Sequence, residues 1–209
     1  MESGTMQKNS TVSGFWDDCY LNNETGWDMH HVSPPLKGYI DSLKNKDLKI
    51  LIPGCGNAYE AEYLLEKGFK NITLVDFSVV VTSRLKEKYK DKAIKIVNEN
   101  FFDHGGKYDL ILEQTFFCAL DPSLREKYAE KSCELLNDGG KLAGVLFNKK
   151  FASVEPPFTA TDEEYKKLFK PFFTFSKFAS CKNSIASRLG FELFIEFEKK
   201  TAQSFTLNK

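Results

Sequence analysis

From Lys49 onward the chain alternates between short apolar runs and longer stretches in which apolar residues recur every three or four positions. KILIP (49–53), NITLVD (71–76), AIKIV (93–97), YDLILEQ (108–114) and KLAGVLF (141–147) are too short for helices and are set between turn residues, so they predict buried strands. The intervening stretches predict helices over 57–68, 79–89 and 124–136; the first has Ala61, Leu64 and Leu65 at helical spacing with Gly68 as its stop, and Pro122 begins the last. Thr161 with Glu164 three residues on predicts a capped helix reaching about Lys170. NDGG (137–140) reads as a turn into the fifth strand. Strands alternating with helices in this way predict an α/β fold with a mainly parallel sheet and helices on both faces. Two late runs, 172–178 and 191–197, are joined by only about a dozen residues, too few for a crossover helix, which predicts an antiparallel final pair.

Upstream of Lys49 the pattern is weaker. Residues 1–14 read as a polar tail, 15–34 form an aromatic segment without a clear period, and Pro35 to Lys44 read as a short helix. At 209 residues the expectation is one domain over 15–209, with an N-terminal lid and helix in 15–46 and a sheet core in 47–200.

Composition narrows the partner classes. With 29 basic and 29 acidic side chains there is no global field to attract nucleic acid or an anionic membrane, which points to a small-molecule substrate; a monomer is expected. The five cysteines form no CxxC pair and no zinc-like cluster, and neither a leader nor an 18-residue apolar span is visible, so a reduced, cytoplasmic protein without a metal is expected.

Chemistry enters at the corner Gly54-Cys55-Gly56, between the first strand and its helix. Glycines there let a ligand approach the backbone, and the free N–H groups of the helix can receive a carboxylate or phosphate. Asp76, twenty positions after Gly56 at the tip of the second strand, stands where an acidic side chain bonds both ribose hydroxyls of an adenosine. The third glycine of dinucleotide-binding corners is absent, with Ala58 near its place, and this favours S-adenosylmethionine, which carries no pyrophosphate. An NAD(P)-dependent oxidoreductase and a non-catalytic adenosine-ligand sensor are the alternatives.

Several segments, in order, carry a family resemblance: FWDDCY, GWDMHHVSPPL, LIPGCGNAYEAEYL, LVDFS, NENFFD, YDLILEQTFFCALDPSLREKYAE, LLNDGGKL and EPPF. Together they resemble the thiopurine S-methyltransferase family, most nearly its thiol, halide and thiocyanate methyltransferase branch. The resemblance implies a class I, Rossmann-like methyltransferase fold of seven strands with the last antiparallel, and S-adenosyl-L-methionine as cofactor with S-adenosyl-L-homocysteine as product. It places cofactor contacts on Trp16, Tyr20 and Trp27 in a segment folding over the cofactor, on Gly54 in the corner, on Asp76 for the ribose, on Asn100 and Phe101 beside the adenine, and on Gln114 after the fourth strand. Tyr20 stands where the family has tryptophan, Asn100 where the nearest branch has aspartate, and Glu113-Gln114 where it has Asp-Tyr.

Methyl transfer from a sulfonium is an in-line displacement that needs alignment and dryness more than acid–base help. Phe15, Trp16, Tyr20, Trp27, Phe116, Phe117 and Phe158 supply aromatic surface near the strand tips, and Trp16 and Trp27 lie in a segment with no core-like period. His30, His31 and His104 read as solvated loop residues, and Cys55 and Cys118 as packing thiols, so no general base is evident. That absence favours acceptors already anionic near neutrality: a thiolate, hydrosulfide, thiocyanate or halide, with a thiopurine also within the family's range. By the family comparison Arg188, before the last strand, could face such an anion, and Tyr165 could add a polar contact.

Overall fold

The computed structural model describes residues 11–149 and 156–201. Its centre is a seven-stranded sheet in the order β3-β2-β1-β4-β5-β7-β6. The strands are β1 (Lys49–Pro53), β2 (Asn71–Asp76), β3 (Ile94–Asn98), β4 (Tyr108–Gln114), β5 (Leu136–Phe147), β6 (Phe173–Ser180) and β7 (Glu192–Lys199). β1 to β5 pair in parallel, whereas β7 runs antiparallel to both β5 and β6. This is the class I methyltransferase arrangement that the resemblance implied, and the antiparallel final pair matches the short connection.

The helices are α1 (Ser13–Leu21), α2 (Pro34–Ser42), α3 (Tyr59–Glu66), α4 (Val79–Lys88), α5 (Arg125–Leu135) and α6 (Asp162–Phe169). Side chains of a strand alternate between faces, and here both faces are covered. Ile50, Ile52, Leu74, Leu110 and Leu112 pack with α2, α3 and α4, whereas Leu51, Val75, Ile111, Leu142 and Ile195 pack with Tyr128 of α5 and with Tyr165 and Phe169 of α6. The central strands β1, β2 and β4 therefore read as mostly apolar runs, whereas the edge strands β3 and β6 keep exposed positions. Thr161 caps α6 as expected: its Oγ1 accepts from the Glu164 N–H at 3.3 Å, and the Glu164 carboxylate accepts from the Thr161 N–H at 2.7 Å.

Two local expectations change. NDGG is not a turn before β5 but part of it; the pairing with β4 slips from Tyr108↔Leu136 to Leu110↔Lys141, so these residues bulge out of an otherwise continuous strand. The aromatic segment without a period contains helix α1. The expected polar tail lies, except for its last four residues, outside the described residues. Among the described residues no helix is long and apolar enough to cross a membrane.

The chain runs outward from β1 to β3 and then returns to β4, so the strand order reverses between β1 and β4. The carboxyl ends of those two strands, Pro53 and Gln114, flank the crevice that such a reversal opens.

Candidate active site

A cavity of about 640 Å³ occupies this crevice. Its floor is the corner after β1, where Gly54, Gly56 and Ala58 all have positive φ, at 52°, 50° and 55°. The position of the missing third glycine is thus left-handed too, and an alanine holds it at a cost of about 1 kcal/mol. The two glycines are required for space as well as for φ. A Cβ on Gly54 would lie 2.1 Å from the Phe116 ring, and one on Gly56 would lie 2.6 Å from the Tyr20 hydroxyl.

Asp76 closes the next strand tip, almost fully buried. One carboxylate oxygen accepts from the Gly56 N–H and the other from the Ser78 N–H, each at 3.0 Å. Burial nevertheless outweighs these donors and pushes the carboxyl up to about 6, with Asp17 adding to the rise. Each oxygen keeps a lone pair, so the group can still receive two more hydroxyl donors.

Helix α1 and the following loop roof the cavity. Trp16 and Trp27 meet edge-to-face at 5.4 Å, and Tyr20 and Trp27 at 5.9 Å, giving a wall of three rings. Side-chain pins hold this roof to the helix starts. The Asp17 carboxylate accepts from the Ser78 hydroxyl at 2.5 Å and the Val80 N–H at 3.1 Å; Asp28 accepts from Asn57 at 2.6 Å and Tyr59 at 3.2 Å. Burial raises the Tyr20 hydroxyl well beyond its usual range, so it is a neutral donor at the cavity edge.

Asn100 and Phe101 border the cavity after β3, where the Asn100 side chain caps a 3-10 turn by accepting from the Phe102 N–H at 3.0 Å. Gln114 lines it from the tip of β4, and its buried Oε1 has no hydrogen-bond partner. Arg188 reaches in from the segment before β7: Nη2 donates to the Trp27 carbonyl at 2.6 Å, while Nη1 makes no hydrogen bond and sits 3.6 Å from Glu192. Burial pushes the Glu192 carboxyl up, with Ser184 and Arg188 opposing it.

All the expected cofactor residues therefore converge on one cavity, together with Arg188. Tyr165 does not. It is fully buried between α6 and the sheet, with its hydroxyl donating to the Phe147 carbonyl at 2.6 Å, so its proposed polar contact in the pocket is corrected to a structural bond. Tyr165→Phe should lower stability by about 1 kcal/mol in denaturant titration, the net worth of such a bond. Phe117 is likewise core, and the Phe158 N–H donates to the Cys118 carbonyl at 2.6 Å.

The histidines divide. His30 is exposed, but His104 is buried, bonded to Glu99 and, at 2.7 Å, to the Tyr108 hydroxyl, against the solvated reading. His31 lines the cavity rim while remaining exposed, and its Nδ1 lies 2.8 Å from the Val32 carbonyl, a contact only an Nδ1–H can make. Phe147, at the end of β5, and Phe191, just before β7, also line the cavity, and the sequence gave no signal for either. Burial pushes the Cys55 and Cys118 thiols up, which leaves them protonated and unsuited to nucleophilic attack. Among the described residues no cluster of side chains could hold a metal ion.

The site can accept S-adenosylmethionine on its own terms: a side-chain-free corner, a buried carboxylate with spare lone pairs, an orphaned amide oxygen and an aromatic roof. Comparisons with known proteins agree. A solved structure of Burkholderia thailandensis 1,6-didemethyltoxoflavin-N1-methyltransferase, with 1,6-didemethyltoxoflavin and S-adenosylhomocysteine bound, shares the fold with a TM-score of 0.75 at 14% identity, over 96% of this chain and 94% of that one. Probable thiol methyltransferase 2 of Arabidopsis thaliana is 27% identical, covering 97% of this chain and 91% of its own length. Thiocyanate methyltransferase 1 of Brassica oleracea is 26% identical over 89% and 85%, and the thiopurine S-methyltransferase of Bos taurus 27% identical over 74% of each. The family profile of thiopurine S-methyltransferase matches residues 11–192. That match overturns the oxidoreductase and sensor alternatives: the chain is an S-adenosylmethionine-dependent methyltransferase acting on a small nucleophile, and it belongs to the thiopurine S-methyltransferase family.

Proposed function

We propose that the chain methylates a small soft anion, sulfur before halide, as a cytoplasmic monomer built from one domain over residues 15–209. The observation that carries this reading is the buried Nη1 of Arg188, which makes no hydrogen bond and has Glu192 at 3.6 Å as its counter-ion, in a cavity whose walls include Phe116, Phe147 and Phe191. A cation in such surroundings favours an incoming anion, and an apolar site disfavours separated charges more than the transition state in which they cancel. Five free cysteines and a balanced net charge support the reduced compartment and the lack of a nucleic-acid partner.

S-adenosylmethionine supplies a methyl group on a sulfonium, and displacement leaves S-adenosylhomocysteine. In this reading Asp76 receives the ribose hydroxyls, Asn100 and Phe101 border the adenine, and Gly54, Gly56 and Gln114 receive the amino-acid end. Trp16, Tyr20 and Trp27 supply ring faces that favour a cation and apolar surface that excludes water. Arg188 draws in the acceptor.

The test is a panel of hydrosulfide, simple thiols, thiocyanate and iodide against amines and alcohols, assayed by S-adenosylhomocysteine release at several pH values. Rates are expected to follow the anionic fraction of each thiol, and His31→Ala should lower them less than about threefold, since general-base catalysis is typically worth 100-fold or more. Preferential turnover of amines or alcohols would overturn the proposal.

A further inference from the structure

Glu113, at the tip of β4, is fully buried yet takes no part in the chemistry described above. Its Oε1 accepts from both the Phe116 and Phe117 N–H groups at 2.9 Å, and its Oε2 accepts from the Tyr128 hydroxyl at 2.6 Å. Between carboxylate and amides lies Thr115, a β-branched residue at φ 59°. Side chains of that kind rarely enter the left-handed region, and such a conformation persists only where its surroundings over-determine it. The two amides that follow Thr115, both donating to a single carboxylate oxygen, do so here.

The loop thus fixed carries Phe116 into the cavity. Its ring packs edge-on against Phe101 at 5.4 Å and occupies the space a Gly54 side chain would need, so one ring touches the walls contributed by β1 and β3 as well as its own strand. Cys118, three residues past Thr115, donates to the Thr115 carbonyl and its own carbonyl holds Phe158. Burial pushes the Glu113 carboxyl up to about 7 despite its three donors.

We infer that Glu113 is a positioning residue for methyl transfer, acting through the Phe116 backbone to hold the aromatic wall of the cavity in register with the glycine corner. The inference rests on the methyltransferase reading but not on which acceptor is used, so the test employs whichever acceptor the wild-type enzyme methylates fastest. Failure of the soft-anion panel therefore leaves it standing.

Glu113→Ala is expected to lower kcat about 100-fold, the effect of misplacing a reacting group by about 1 Å. S-adenosylhomocysteine affinity by calorimetry should change less than about fivefold, and exchange of the Phe116 and Phe117 amides should accelerate. Glu113→Gln should recover most of the loss, because its amide oxygen can accept from both N–H groups while its NH2 meets the Tyr128 oxygen. Phe116→Ala should match the alanine variant, and the double variant should be no slower than either single one. If Glu113→Ala does not fold, Glu113→Asp, whose shorter arm withdraws the carboxylate from both amides, serves in its place. A kcat within about threefold of wild type, or fully additive losses in the double variant, would overturn the inference.

Discussion

Replacing Asp76 with alanine is expected to weaken S-adenosylhomocysteine binding by roughly 10²–10⁴-fold. Two hydroxyl bonds to a carboxylate would be lost, each worth about 1.5–3 kcal/mol, and every 1.4 kcal/mol is a factor of ten. The same carboxyl gives the binding a pH signature. Hydroxyl donors favour the ionised form, and the group titrates near 6 in the free protein, so affinity should be flat above that pH and fall about tenfold per unit below it. Folding stability carries the opposite sign. A carboxyl raised by burial contributes stability that is complete below its unfolded value near 3.8 and is lost as pH rises through 6. Calorimetric titration from pH 5 to 8 separates the two, and an affinity unchanged in Asp76→Ala would sink the assignment of the ribose to this strand tip.

The second large effect is structural. A Cβ added at Gly144 of β5 would lie 2.3 Å from the Glu113 carbonyl oxygen and 2.4 Å from the Glu113 Cβ. Gly144 is the direct partner of Glu113 across the parallel β4–β5 ladder, so neither atom can move without parting two central strands. Overpacking in a core costs about 1–3 kcal/mol even where side chains give way; with backbone in the way, Gly144→Ala should cost about 3 kcal/mol or more. For a chain of this size that lowers Tm by roughly 6–12 °C. Scanning calorimetry checks it, and a Tm within about 2 °C of wild type would show that β4 and β5 separate more readily than their register implies.

What could be read in the sequence was local. The apolar runs 49–53, 71–76 and 108–114 became strands with those same limits, because strands buried on both faces are mostly apolar between polar ends. Gly54, Gly56 and Asp76 were legible for the same reason: each sits at a strand end where the chemistry is set by one residue. What escaped depends on distant partners. Helix α1 buries only Cys19 and Tyr20 and shows no apolar stripe; it is held by Asp17 bonded to residues 61 and 63 positions away. Tyr165 was read as a pocket residue because family position indicates an element but not which side of it faces the crevice, and its hydroxyl turns to Phe147 instead. His104 follows the same rule, since burial comes from Glu99 and Tyr108 rather than from its glycine-rich neighbours.

The pins on the roof separate its hold from that of the sheet. They are side-chain bonds at the starts of α3 and α4, and none belongs to the sheet, so breaking them would leave every strand paired. Loosening Asp17 is therefore expected to weaken the grip on the cofactor without unpairing the sheet.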